Sequence, residues 1–379
     1  MAAPMLEFRT SGYNPYAVKY SPYIDSRIAV AASANFGIVG NGRVYCLTLA
    51  PDGAIIVDAS FDTNDALYDL AWSEINERQL VVACGDGSIK LFDAAVGEFP
   101  VMNFHEHKRE AYSVAWSPIT KDAFASSSWD GTVKIVSPFF LFSFSFLLVL
   151  LYLFSCLQTP NKTCPLLPQW SPARSHSLKT LPVGNCVYST SFCPTNPAII
   201  SAVSSDSHIR IFDLRTPASA KYHLTTVIPV HGHASPSTAT ASAPPSEVLT
   251  HDWNKYRDGV VATGGVDGVL RTFDVRNPNA GPLAVMQGHR YAVRRLAWSP
   301  HSADVLLSGS YDMTVRLWND ASGAGGTGAG VELGVMNRHT EFVTGVDWCL
   351  FGTGGWVATA GWDERVLLWD ANVLAGGSM

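Results

Sequence analysis

Charge is scarce in this chain of 379 residues: Asp, Glu, Lys and Arg make up 15% of it, and the formal net charge is −6. A mildly acidic chain with no basic block is not built as a general nucleic-acid binder. The seven cysteines (46, 84, 156, 164, 186, 193 and 349) form no Cys-x-x-Cys pair and no Cys/His cluster at zinc spacing. They read as small core hydrophobes of a reducing compartment, and no metal is expected. The opening stretch MAAPMLEFRTSGY has no apolar core of the secretory kind, and the closing AGGSM is not an organelle address. A glycine-rich phosphate loop is missing too, so neither a cofactor nor a catalytic role is expected. What is plentiful is glycine (31), proline (22) and tryptophan (11), a mix that suits many short strands joined by turns.

The strands repeat. Six segments share one pattern of small residues, an Asp in a tight turn, and an alternating strand that usually ends in an aromatic. They are ACGDGSIKLFD (Asp86), SSSWDGTVKI (Asp130), VSSDSHIRIFD (Asp206), TGGVDGVLRTFD (Asp267), SGSYDMTVRLWN (Asp312) and TAGWDERVLLWD (Asp363). Upstream of each lies a strand ending in Trp72, Trp116, Phe192, Trp253, Trp298 or Trp348. The N-terminal stretch is a degenerate seventh copy with Asn41-Gly42 as its turn, and LEFRTSGY is expected to supply the outer strand of the last unit.

This pattern resembles the WD40 repeat family along nearly the whole chain. A four-stranded unit cannot bury both its faces alone, so units must stack, and closing seven into a ring leaves only short edges. The expected fold is all-β, a single seven-bladed WD40 β-propeller over residues 1–379. The family's Asp–His–Ser/Thr–Trp network fits the sixth blade best, through Asp312, His289, Trp318 and Ser308 or Ser310. His107 and His339 are the corresponding histidines of two other blades. Recurrence at a fixed repeat position marks these Asp and His residues as scaffold, not catalytic groups.

The turn Asp residues are spaced 44, 76, 61, 45 and 51 apart. The 61 contains a polar stretch, residues 231–246, expected to be a flexible loop. The 76 contains an uncharged run from Ile135 to Asn161, within an apolar insertion (136–169) that interrupts blade three. Removing these 34 residues joins Ile135 to Trp170, the aromatic that the strand lacks, and reduces the spacing to 42. The insertion reads as a translated intron: Val136-Ser137 can be encoded by GTGAGT, Gln169 by CAG, and whole codons keep the frame. The 19 residues 139–157 are also long enough to span a membrane. A span in mid-strand, however, would put the halves of one blade on opposite sides, where their edges could not pair.

Function on such a ring lies on its surface. Counting back from each inner-strand aromatic, positions −6 and −4 share one side of the strand. At −6 stand Ala66, Glu110, Cys186, Glu247, Ala292 and Phe342. At −4 stand Tyr68, Tyr112, Tyr188, Leu249, Arg294 and Thr344, with Asp65 and Glu341 one step further out at −7. The residue before each turn Asp joins the same face: Gly85, Trp129, Ser205, Val266, Tyr311 and Trp362. Carboxylates mixed with tyrosines and tryptophans suit a peptide carrying both basic and apolar side chains. A solvated rim with ordinary aromatics is the alternative.

Several stretches spread along the ring carry a more specific resemblance, among them MLEFRTSGYNPYAVKYSPYIDSRIAVAASANFGIVGNGRVYCL, FDTNDALYDLAWSE, HEHKREAYSVAWS, LTHDWNKY, GHRYAVRRLAWSP and RHTEFVTGVDW. They are similar to the peroxin-7 family, receptors for the type 2 peroxisomal targeting signal. That resemblance implies a cytosolic receptor shuttling to the peroxisome. It would bind an N-terminal Arg/Lys-Leu-x5-His/Gln-Leu/Ala helix on matrix enzymes, with a co-receptor and docking proteins as partners and no stable membrane insertion. It implies Glu110 as partner of the signal's basic residue, Asp65 as a second, and Tyr68, Tyr112 and Trp129 against its apolar side. Tyr188, Glu247, Arg294, Tyr311 and Trp362 complete the expected cargo-peptide face. A competing reading is a substrate adaptor of a ubiquitin ligase or a chromatin scaffold, suggested by FDLR (212–215) and FDVR (273–276).

Overall fold

Alternation dictates the strands. In His208–Asp213, Ile209 and Ile211 turn inward while Arg210 between them stays half-exposed. The computed structural model describes residues 5–138, 176–216, 223–230, 246–322, 328–352 and 354–375. Among these, seven antiparallel sheets form, each a meander of four neighbouring strands, apart from the additions at blades five and seven described below. The innermost strands are Asn14–Tyr20, Leu67–Trp72, Ala111–Trp116, Val187–Phe192, Val248–Trp253, Val293–Trp298 and Val343–Trp348. Each packs against the next, and the seventh packs against the first, so the sheets close into the expected propeller. Gly345 permits the last approach: a Cβ there would meet the Val18 backbone nitrogen at 3.0 Å.

The seam is sealed by the chain's beginning. Strand Leu6–Arg9 pairs with Arg365–Asp370, setting Leu6 opposite Leu368 and Arg9 opposite Arg365, so blade seven takes its outer strand from the N-terminal segment. Blade five gains a fifth strand, because Gly328–Ala329 of the glycine-rich stretch pairs parallel with Ala284–Gln287. This paired glycine and alanine backbone covers an otherwise open edge.

The core is not central. Seven apolar clusters lie at the seven junctions between neighbouring blades, such as Val44, Phe61, Leu70 and Phe92 between blades one and two. Each fully buried Val, Leu or Phe contributes about 1.5–3 kcal/mol, so every junction is a small core of its own.

Three blades carry the polar network. In blade six, His289 Nδ1 donates to Asp312 at 2.9 Å, Ser308 donates to His289 Nε2 at 2.7 Å, and Trp318 Nε1 donates to Ser308 at 2.8 Å. Ser308, not Ser310, is therefore the hydroxyl member. Blade seven repeats the set with His339, Asp363, Thr359 and Trp369. Burial alone would raise the Asp312 pKa; hydrogen bonds from His289 and Thr314 outweigh it and hold the carboxyl well below its usual range. The other repeat Asp residues lack the network histidine: Asp86 holds Ser88 and Lys90, Asp206 holds Arg210 with His208 at 3.6 Å, and Asp267 holds Arg271.

Blade three has the network without its indole. His107 bonds Asp130 at 3.0 Å and Ser126 at 2.8 Å. Opposite Phe124, where blades two, four, five, six and seven present Phe92, Phe212, Phe273, Trp318 and Trp369, stands the buried Val136. The insertion does not split the sheet. Its flanking strands Thr132–Val136 and Lys179–Pro182 pair directly, with Ile135 opposite Lys179. Residues 139–169 of the insertion, Trp170, and 231–245 of the polar loop lie outside the described residues. No helix among the described residues is long and apolar enough to cross a membrane.

Candidate functional site

A bulge recurs in every blade. The register of each innermost strand shifts past one residue, and that residue is Tyr16, Tyr68, Tyr112, Tyr188, Leu249, Arg294 or Thr344. In six blades this is the −4 position of the sequence reading. A bulge leaves its residue outside the ladder and re-aims the side chain, which delivers seven such residues to one mouth of the central channel. The −6 and pre-Asp positions meet there as well. The Trp129 N–H donates to the Glu110 carbonyl at 3.1 Å, Tyr311 to Ala292 at 3.0 Å and Trp362 to Phe342 at 2.9 Å.

The result is an aromatic chain around the mouth. Tyr188 lies 5.6 Å from Tyr112, Tyr112 is 5.2 Å from both Trp129 and Tyr68, and Tyr68 is 5.3 Å from Tyr16. From Tyr16 it continues to Trp362 at 5.5 Å, to Phe342 at 5.3 Å and to Tyr311 at 4.7 Å. Only blade five, with the buried Leu249, contributes no ring to this chain. Such offset and edge contacts add about 0.5–1.5 kcal/mol per pair beyond burial, so the rings form a stiff platform.

Carboxylates flank it. Glu110 is half-exposed and weakly paired with Arg109 at 3.6 Å. Asp65 accepts from the Ala66 N–H at 2.8 Å, and Glu247 accepts from the Tyr188 hydroxyl at 2.9 Å. Burial pushes the Tyr68 phenol up to about 12, with Tyr112, Glu110 and Asp65 adding to the shift, so both carboxylates act on one ring. Glu341 is exposed at the rim. Thr344 turns away and donates to the Pro15 carbonyl at 2.6 Å. Arg294 is 1% exposed and lies beneath the rings, not on the surface.

Three wall residues were not in the expected contact set. Phe342 was placed on the face at −6 without a role. Tyr16 sits four before Tyr20, so the same count applied to the degenerate first copy finds it. Phe36 has no such signal: it lies in the Ala34–Gly37 turn at φ 56°, where it is 5.4 Å from Trp362 and receives the Tyr16 hydroxyl on its carbonyl at 2.6 Å.

The opposite mouth differs. A cavity of about 310 Å³ opens there, lined by Lys19, Asp69, His251, Arg295 and Asp347 among others. Its charges neutralise one another: Arg295 of blade six reaches Asp69 of blade two at 2.7 Å, and Lys19 meets Asp347 at 2.9 Å. His251 bonds Ser201 at 2.7 Å, and Ser201 also accepts from Trp253 Nε1 at 2.8 Å, a buried structural pairing. Among the described residues, no group of three or more His, Cys, Asp or Glu is arranged to hold a metal ion.

Seven closed blades, a recurrent Asp turn and the His–Ser–Trp network define a WD40 β-propeller with one aromatic, acid-flanked mouth. The family described as "WD domain, G-beta repeat" matches residues 98–137, 175–213, 280–319 and 330–370. Similarity to whole proteins is more specific. A "Peroxisomal targeting signal 2 receptor" of Saccharomyces cerevisiae is 36% identical over 399 residues, covering 97% of this chain and 99% of that protein. Its counterpart in Komagataella phaffii is 41% identical over 394 residues, covering 98% and 100%. The one in Homo sapiens is 35% identical over 348 residues, covering 91% and 88%. The chain belongs to the peroxisomal targeting signal 2 receptor family.

Proposed function

We propose that this protein is an import receptor for peroxisomal matrix proteins, and that its aromatic mouth binds the N-terminal type 2 targeting signal of its cargo. The observation that carries this reading is the unbroken ring chain from Tyr188 to Tyr311, with the Glu110 and Asp65 carboxylates beside it. A helix with a basic and a leucine position on one side finds both chemistries there: carboxylates for the cation and rings for the apolar groups. Glu110 is the first partner of the basic residue and Asp65 the second. Tyr68, Tyr112 and Trp129 receive the apolar side, while Tyr188, Glu247, Tyr311 and Trp362 extend the contact around the mouth. A co-receptor covers the bound helix and leads the complex to the peroxisomal docking proteins, so the receptor works in the cytosol and at the peroxisome.

The adaptor reading has less support. Arg215 and Arg276, the residues that suggested it, are each bound by the Asp two positions before them.

The test is binding of a labelled Arg-Leu-x5-His-Leu helical peptide in the presence of co-receptor. An exposed ion pair is worth about 0–1 kcal/mol, and reversal adds repulsion, so Glu110→Lys should weaken binding about tenfold. Tyr112→Phe should bind nearly as the parent does. A folded receptor that ignores the peptide, or a Glu110→Lys variant that binds equally well, refutes the assignment.

We also infer that residues 136–169 are a translated intron, absent from the working receptor. The Val136 position and the indole-less network of blade three support this. A mature transcript dominated by the longer form would count against it.

A further inference from the structure

Arg294 is the one bulge residue that carries a charge, and it is unpaired. It is 1% exposed, and its Nε and Nη2 have no hydrogen-bond partner. Among the described residues no carboxylate lies within ion-pairing distance of it. The neighbouring Arg295 is its internal control: that guanidinium takes both oxygens of Asp69, at 2.7 and 3.3 Å, so Asp69 acts on Arg294 only from beyond ion-pairing distance. What Arg294 does meet is phenolic. Its guanidinium carbon stands 4.6 Å from the ring centroid of Tyr112, which reaches it across the axis from blade three, and it contacts the Tyr311 hydroxyl. Tyr16 lies further out along the same ring chain, against Tyr68.

A buried guanidinium without a direct ion-pair partner is costly, and ring faces with a more distant Asp69 offset only part of that cost. The two open donors are informative. Nε–H and Nη2–H lie on the same edge of the guanidinium plane, the edge that fits the two oxygens of a carboxylate. A planar monoanion also suits the surroundings better than a phosphate dianion, because Asp65, Glu110 and Glu247 already make the rim negative.

We propose that the channel mouth on the aromatic face is a carboxylate site, with the Arg294 guanidinium as its cation and Tyr112 and Tyr311 as its walls. The carboxylate comes either from an acidic side chain of a docked polypeptide or from a small free acid. The proposal does not rest on the receptor reading: the targeting-peptide experiment probes the rim, and the one below probes the mouth alone.

The test uses the full chain with its arginine side chains labelled for NMR. Titration with acetate should shift the Arg294 Nε–H resonance, assigned by its loss in Arg294→Met, while neutral acetamide should not. Arg294→Lys keeps the charge and loses the fork, and should weaken acetate binding at least about tenfold as followed through the neighbouring Tyr311 ring signals. Arg294→Met removes a buried unpaired charge, so its melting temperature should equal or exceed that of the parent. The pentapeptide N-acetyl-Ala-Ala-Glu-Ala-Ala-amide, beside its Gln counterpart, separates the two sources. Tighter binding of the Glu peptide than of acetate assigns the site to a polypeptide, and equal binding assigns it to a free acid. An Arg294 resonance indifferent to both acetate and the Glu peptide overturns the proposal. So does an Arg294→Met variant that melts lower, which would make the guanidinium a structural plug.

Discussion

At the scale of single residues, the two mouths of the channel have different chemistries, and the second sets a pH dependence. His251 near the second mouth is held neutral, because burial pushes its imidazole down to about 4. In the unfolded chain it titrates near about 6.5. Between those values the unfolded state binds a proton that the native state refuses, so stability is full above pH 6.5 and falls as the pH drops toward 4. The loss amounts to ~3 kcal/mol at the lower end of that window. Asp130 and Asp312 add to it only at more acid pH, since their depressed carboxyls lose stability below the ordinary carboxylate range. His251→Gln should therefore flatten the dependence of the melting temperature on pH between about 6.5 and about 4. An unchanged slope in the variant would mean that another group is responsible. The first mouth was largely legible in the sequence. Counting back from the strand aromatics found Tyr68, Tyr112, Tyr188 and Arg294, because the bulge falls at one fixed position per repeat. Arg294's burial was not legible, since nothing in VRRLAW says which of two successive arginines finds a carboxylate. Phe36 was not legible either, because a left-handed turn in a degenerate copy leaves no periodic mark.

At the scale of the element, blade three is the informative one. Its strand order and turn Asp followed from the repeat, as did those of the other blades, because alternation and turn chemistry are local. The sequence reading ends the third strand with Trp170 once 136–169 are removed; the full chain offers Val136 first, because it directly follows Ile135. The structure fills the position with Val136, six residues after Asp130. Trp318 and Trp369 stand six after Asp312 and Asp363, and each donates its indole N–H to the network hydroxyl. Deleting 136–169 puts Trp170 in that register beside Ser126. The gain has two parts: larger apolar burial with one more buried hydrogen bond, about 1–3 kcal/mol, and a shorter connection, about 1–2 kcal/mol. The deleted form should therefore melt higher than the full chain and unfold at higher denaturant. A deleted form that melts at the same temperature or lower would show that Val136, not Trp170, belongs to the strand.

At the scale of the whole molecule, stability and site depend on the same seam. The ring has seven junction cores and closes through four residues, Leu6–Arg9, on the edge of blade seven. Leu6 and Phe8 also pack against the cluster between blades seven and one. The aromatic mouth crosses that junction, because Tyr16 and Phe36 of blade one meet Trp362 of blade seven, and Asn14 donates to the Trp362 carbonyl at 2.7 Å. Removing residues 1–10 should cost about 3 kcal/mol in lost ladder bonds and apolar burial. It should also expose the Arg365–Asp370 amides to hydrogen exchange and weaken targeting-peptide binding in parallel, although none of the described residues among those removed lies at the mouth. A synthetic peptide of residues 5–13 added in trans should restore all three by pairing with the open edge. Loss of stability with undiminished peptide binding would separate the seam from the site, and the mouth would then be held by the inner strands alone.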